Sequence, residues 1–200
     1  MTILWQPSPR QIKNSQMSRF REHVNQSRTY NFKDYTQLYQ WSVDKPEEFW
    51  GEFFKFSAII RSKTADKSVE FSDHISKTVW FPGAKLNFAE NLLRYRDDKT
   101  AIIFANEYGV KEYISYHDLY IMVAKAANYL NGIGVTSGDR VAGYLPNMPH
   151  AIIFMLATTA LGAIWTSTSP DFGKNGVVDR FSQVEPKVLI TVDGYFYNGK

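Results

Sequence analysis

The stretch from Arg140 to Val192 constrains the fold more than any other part of this 200-residue chain. It holds three apolar runs, RVAGYL, IWTST and KVLITV. Between them lie segments from about Pro149 to Leu161 and from about Asn175 to Val184 that read as helices. Strand, helix, strand, helix, strand in that order, with strands apolar on both faces, predicts a parallel sheet joined by right-handed helical crossovers. The expected class is α/β, with a mostly parallel sheet flanked by helices. TSTSPDFGK, from Thr166 to Lys174, falls directly after the second strand and before the second helix. That is the carboxyl edge of such a sheet, where doubly wound proteins place ligands. It superficially resembles a phosphate cradle, but Gly173 is its single glycine, Pro170 removes a backbone donor and Asp171 adds a negative charge. The loop therefore reads as the lining of a ligand site, and Asp171 by itself as a cap for the following helix or its first turn.

Upstream, AIIFAN and EYISY read as strands around a turn at Tyr108-Gly109. Ser115 to Asp118 has the spacing of a capping box, and Leu119, Met122, Val123, Ala126, Leu130 and Ile133 form one helical face that Gly132 and Gly134 bring to an end. Residues 1 to about 80 are irregular and rich in aromatics, with helical stretches around DYTQLYQWS and over PEEFWGEFFKF. The second opens with Pro46, Glu47 and Glu48, as a helix start should, and its Phe49, Trp50, Phe53 and Phe56 share a side. Helices this short are marginal alone in water, so that stripe is expected to dock on something.

Composition removes several classes of function. With 44% hydrophobic residues a sizeable core can form, and a net charge of +3 spread along the chain gives no footprint for nucleic acid. The absence of cysteine rules out disulfides, a thiolate nucleophile and a cysteine zinc site. His23, His74, His117 and His150 lie far apart without metal-ligand spacing. From Ala151 to Pro170 there is no charged residue, but the apolar part ends at Trp165 and is short for a membrane span of about 18 to 25 residues. A buried helix followed by a buried strand explains the run better. The start of the chain has no secretory signal, so a cytoplasmic protein with no membrane partner is expected.

Four runs carry a resemblance to a known family: WFPGAKLNFAENLL, GDRVAGYLPNMPHAIIFMLATTALGAIW, SPDFGKNGVVDRFSQVEPKVLITVDGY and YNGK. They closely resemble the N-terminal part of the AMP-forming acyl-CoA ligases, the adenylate-forming superfamily. Acetate-activating members carry a Phe-Gly-Gly-Phe type sequence where this chain has Ser169, Pro170, Asp171 and Phe172, and usually a histidine in place of Trp165. SPDFG followed by EPKVLI is similar to the acetoacetate branch. A ligase for acetyl or propionyl groups is the alternative within the superfamily, and a stand-alone α/β nucleotide- or partner-binding module is the alternative outside it.

The resemblance implies a division into an N-terminal extension, residues 1–80, and the incomplete first part of an AMP-binding domain, residues 81–200. It implies ATP, CoA and Mg2+ as cofactors and acetoacetate as the acid, with none of them bound tightly by this piece alone. The family's Ser/Thr/Gly-rich loop ending in Pro-Lys is absent from the sequence. No catalytic residue and no metal ligand is therefore expected here. The implied contribution is to the CoA side, through Tyr197, Asn198, Gly199 and Lys200. Ser169, Pro170 and Asp171 would line the same side. In the acetate-activating relatives the loop matching YNGK is Arg-Gly-Gly-Lys/Arg; Tyr197 replaces its first base and can stack on adenine but cannot pair with a phosphate. Other expected partners are the remainder of the polypeptide and, through an exposed sheet edge, a second copy of the chain.

Overall fold

The computed structural model describes residues 3–199, and the chain divides into two compact units, Met1–Leu86 and Asn87–Lys200. The first unit is helical, with α1 (Pro9–Asn14), α2 (Gln16–Arg28), α3 (Tyr35–Asp44) and α4 (Pro46–Phe56). The sequence reading anticipated α3 and α4 but not the two helices before them. Ser8 and Gln11 start α1 by capping each other: the Ser8 hydroxyl accepts the Gln11 N–H at 3.3 Å, and Gln11 Oε1 accepts the Ser8 N–H at 2.8 Å. Along the polar α2 the buried apolar residues are Phe20 and Val24, one turn apart, a stripe too narrow to register as a period. Both enter a cluster with Leu38 and Trp41 of α3, and Tyr30, Phe32, Phe49 and Phe56 pack around it.

The aromatic stripe expected on α4 is divided in the structure. Phe49 and Phe56 join the cluster, whereas Trp50 and Phe53 stay 40% and 38% exposed. The deeply buried aromatic is Phe54, stacked on Phe81 at 4.5 Å between ring centroids. The helix packs on two sides, not one, and Glu52 is almost wholly buried between them. A short antiparallel ribbon of β1 (Val69–Glu70) and β2 (Val79–Trp80) completes the unit.

The second unit begins with α5 (Phe88–Leu92), followed by β3 (Thr100–Asn106), β4 (Gly109–Ser115) and α6 (Tyr116–Gly132). It continues through β5 (Arg140–Tyr144), α7 (Pro149–Ala160), β6 (Ile164–Thr168), α8 (Lys174–Ser182) and β7 (Val188–Thr191). The last three strands form a parallel sheet in the order β6-β5-β7, so β5 lies in the middle with its Val141 and Ala142 fully buried. The sheet is small. Among the described residues the parallel part has three strands, and the other four pair antiparallel as two ribbons. The reason is connectivity: β3 and β4 are joined by a tight turn that can only make a hairpin, while parallel neighbours need a crossover. Val141, Leu130, Val135, Leu156 and Ala157 centre the core.

Ser115 caps α6 as the spacing required, its hydroxyl accepting the Asp118 N–H at 3.0 Å. The other half of the box differs. The Asp118 carboxylate accepts from the Ser115 hydroxyl at 2.6 Å. Ile133, expected on the buried face of α6, lies just past the helix end and is 46% exposed. The uncharged run becomes α7 and β6, and among the described residues no helix is long and apolar enough to cross a membrane. Asn87 joins two of these helices: its Oδ1 accepts the Glu90 N–H that opens α5, and its Nδ2 donates at 3.1 Å to the carbonyls of Thr159 and Ala160 at the end of α7.

Candidate functional site

The strands of the parallel sheet bring their following loops to one edge, and a cleft of about 480 Å³ opens there. Residues 146–148 reach it after β5, 169–171 after β6 and 194–197 after β7, while 104–107 come from the end of β3 and the hairpin turn. Ser169, Pro170, Asp171 and Tyr197, singled out from the sequence, all line it. Asn198 and Gly199 are not part of the lining but bond to Glu107, which is, and Lys200 falls outside the described residues.

What shapes the cleft starts one layer below, in β5. Gly143 pairs with Ser167 in the sheet, and a methyl group at Gly143 would come within 2.4 Å of the Trp165 ring. The indole therefore lies across bare backbone, and any side chain at 143 would push it away. Tyr144, the next residue, donates its hydroxyl hydrogen to the carbonyls of Pro170 and Phe172, at 3.0 and 3.3 Å. This anchors the SPDF loop to the central strand.

Asp171 is used differently from the expectation that it caps α8. The N-cap of that helix is Gly173, with no side-chain hydrogen bond. The Asp171 carboxylate instead accepts from Ser169 Oγ at 2.7 Å and from the Tyr195 hydroxyl at 3.3 Å, so it joins the loop after β6 to the loop after β7. Partial burial, followed by the charge and hydrogen bond of Asp171, raises the Tyr195 phenol above its ordinary value. Tyr195 and Tyr197 lie 6.4 Å apart between ring centroids with their planes tilted by 56°, and Tyr197 is 63% exposed, leaving its ring open to a planar ligand.

The hairpin turn was not anticipated as part of the site. The Glu107 carboxylate accepts the main-chain N–H of Asn198 at 2.5 Å through one oxygen and that of Gly199 at 2.7 Å through the other. Asn198 and Gly199 both have left-handed backbone, at φ 52° and 73°, which turns these successive donors to the same side. Beside them the Phe196 ring meets Tyr108 edge-on at 5.2 Å. Among the described residues lining the cleft, the charged side chains are Glu107 and Asp171, both acidic. Among the described residues no three of His, Cys, Asp or Glu come together where they could hold a metal ion.

The parallel sheet with a cleft at its carboxyl edge is of the α/β class, and one family model matches it: AMP-binding enzyme, over residues 88–198. The chain belongs to that family. A second model, acetyl-coenzyme A synthetase N-terminus, matches residues 35–92. Over 99% of its length the chain is 44% identical to the acetoacetyl-CoA synthetase of Macaca fascicularis and 46% identical to that of Danio rerio, in each case covering 30% of the relative. The solved acetoacetyl-CoA synthetase from Streptomyces lividans superposes on the whole chain with a TM-score of 0.91 at 38% identity, with 31% of its own length covered. The chain thus spans about 30% of the length of the curated relatives it matches.

Proposed function

We propose that this chain is the N-terminal part of an AMP-forming acetoacetate–CoA ligase, and that the cleft receives the nucleotide end of CoA. The observation that carries the reading is similarity to acetoacetyl-CoA synthetases along 99% of the chain, not merely over the AMP-binding segment. In the proposed reaction the acetoacetate carboxylate attacks the α-phosphorus of ATP, forming an acyl-adenylate and releasing pyrophosphate. The CoA sulfur then attacks the acyl carbonyl, its proton is lost, and AMP leaves with the former carboxylate oxygen. A carboxylate acylates poorly and a mixed anhydride well, which is why ATP is spent. Mg2+ belongs to this reading as the partner of the ATP phosphates; no step is assigned to it on residues of this chain.

Within that reading the small parallel sheet is the beginning of a larger, mostly parallel sheet flanked by helices. Residues 1–80 are the extension and 81–200 the first part of the adenylation domain. The remainder of the polypeptide supplies the adenylating groups, and the cytoplasm, where ATP and CoA meet, is the expected location. What supports a CoA role for the cleft is its position at the strand ends, the exposed ring of Tyr197, and the main-chain donors of Asn198 and Gly199 held on Glu107 of its lining.

Kinetics on the full-length protein separate the two half-reactions. Tyr197→Ala is expected to raise the Michaelis constant for CoA about fivefold through lost stacking, with acetoacetate-dependent ATP–pyrophosphate exchange unchanged. An unaltered CoA constant would remove the cleft from the CoA step. Exchange supported by acetate or propionate better than by acetoacetate would overturn the choice of acid.

A further inference from the structure

Two main-chain N–H groups directed at one point form an anion site without any charged side chain. In this structure that site is filled from within, since the Glu107 carboxylate takes both donors, from Asn198 and Gly199, with one oxygen each. A carboxylate and a phosphate present the same feature to such a pair: two oxygens sharing negative charge, each able to accept one N–H. Glu107 sits at the tip of the β3–β4 hairpin, an exposed turn. Its charge lies on the lining of a cleft whose other charged side chain is Asp171.

We infer that Glu107 is a built-in competitor for a ligand phosphate: the Asn198–Gly199 donors hold the carboxylate in the free protein and hold a phosphate of the bound nucleotide once the hairpin tip has released them. This rests on the assignment of the cleft to CoA. Displacement then costs two charge-assisted hydrogen bonds before the ligand gains its own, so Glu107 lowers affinity for the phosphorylated part of the ligand and leaves the contact with the base untouched. No covalent step is involved. The Tyr197 ring and the anion site are separate elements, which makes the two contributions separable by experiment.

The test is calorimetric titration of the full-length protein with two probes, adenosine and the bisphosphorylated adenosine that heads CoA. Glu107→Gln keeps the size of the side chain and removes its charge; Glu107→Ala removes both, and a surface turn tolerates either. Both variants are expected to bind the bisphosphate about fivefold more tightly than the parent, with the gain shrinking at high salt, and adenosine equally well. Tyr197→Ala, run alongside, should weaken both probes. Bisphosphate binding that is unchanged or weaker in both Glu107 variants, while Tyr197→Ala still weakens it, overturns the competitor role and leaves the cleft assigned: Glu107 would then be a clamp that shapes the loop. Parent-like binding in all three variants overturns the competitor role together with the CoA assignment.

Discussion

Glu52 shows how much one residue can contribute when it is buried with its partners. Its side chain is 3% exposed, with Arg28 Nε at 2.9 Å, Lys55 Nζ at 3.0 Å and Ser27 Oγ at 3.2 Å, and His23 Nε2 lies 3.3 Å away. Burial pushes the carboxyl up, but the hydrogen bonds of Lys55 and Arg28, the charge of Lys55 and the hydrogen bond of Ser27 outweigh it and hold it down at about 2, below the ordinary 4.5. A carboxyl depressed by folding adds stability that is fully present above its unfolded value and is lost as pH falls through its folded one. The window is therefore from about pH 4.5 down to about pH 2. The linkage has an upper bound of about 3 kcal/mol, and about 2 kcal/mol is a fair expectation because Arg28 and Lys55 are partly solvated. Glu52→Gln should lower stability by about that amount at neutral pH, and urea titrations should show the gap to the parent closing across the window. A gap that stays constant with pH would mean that the charge of Glu52 is immaterial. Asp139 makes the corresponding contact in the second unit: hydrogen bonds from Lys187 and from the Thr136 main chain hold its carboxyl at about 2.

At the scale of elements, β5 and β6 are matched by a missing side chain. The Trp165 ring passes where a Cβ at Gly143 would stand, at 2.4 Å from its nearest atom. Gly143→Ala must therefore displace either the indole or the strand, with an expected cost of about 1–3 kcal/mol by denaturant unfolding. Shortening the partner should relieve the clash, so Gly143→Ala combined with Trp165→Leu is expected to cost less than the sum of the two single changes. Strict additivity would show that the two positions do not constrain each other. Gly143 was legible as part of a strand and Trp165 as part of another. Their contact follows from the parallel register that sets Val141 opposite Trp165, and a register is not written in either run alone.

At the scale of the molecule, β6 and β7 each have one strand neighbour among the described residues, and Ile164 and Leu189 on them are more than half exposed. Open strand edges with apolar residues pair with other chains. The 200-residue chain on its own is therefore expected to associate with itself, and a strictly monomeric mass by light scattering at high concentration would contradict that. It is also expected to lack ligase activity, since the phosphate-binding loop of the family is absent from its sequence. Acetoacetate-dependent pyrophosphate exchange clearly above background by this chain alone would refute that expectation.

The sequence by itself determined what depends on neighbours along the chain. The alternation of elements from Arg140 to Thr191, the Ser115 cap and the placement of the SPDF loop at a strand end all follow from periods of two and 3.6 residues and from side chains within one turn of a helix start. Likeness of sequence also pointed to Tyr197 and the YNGK loop. Tertiary structure alone decided which loops meet. Asp171 reaches Tyr195 in place of the adjacent helix, α2 is held by Phe20 and Val24 packing on α3, and β5 takes the middle of the sheet. The clearest case is Glu107, whose partners Asn198 and Gly199 stand 91 and 92 positions further along. A hydrogen bond depends on distance and direction in space, and no local period encodes a separation of that length; only the packing of the hairpin beside the ends of the parallel strands brings the three residues together.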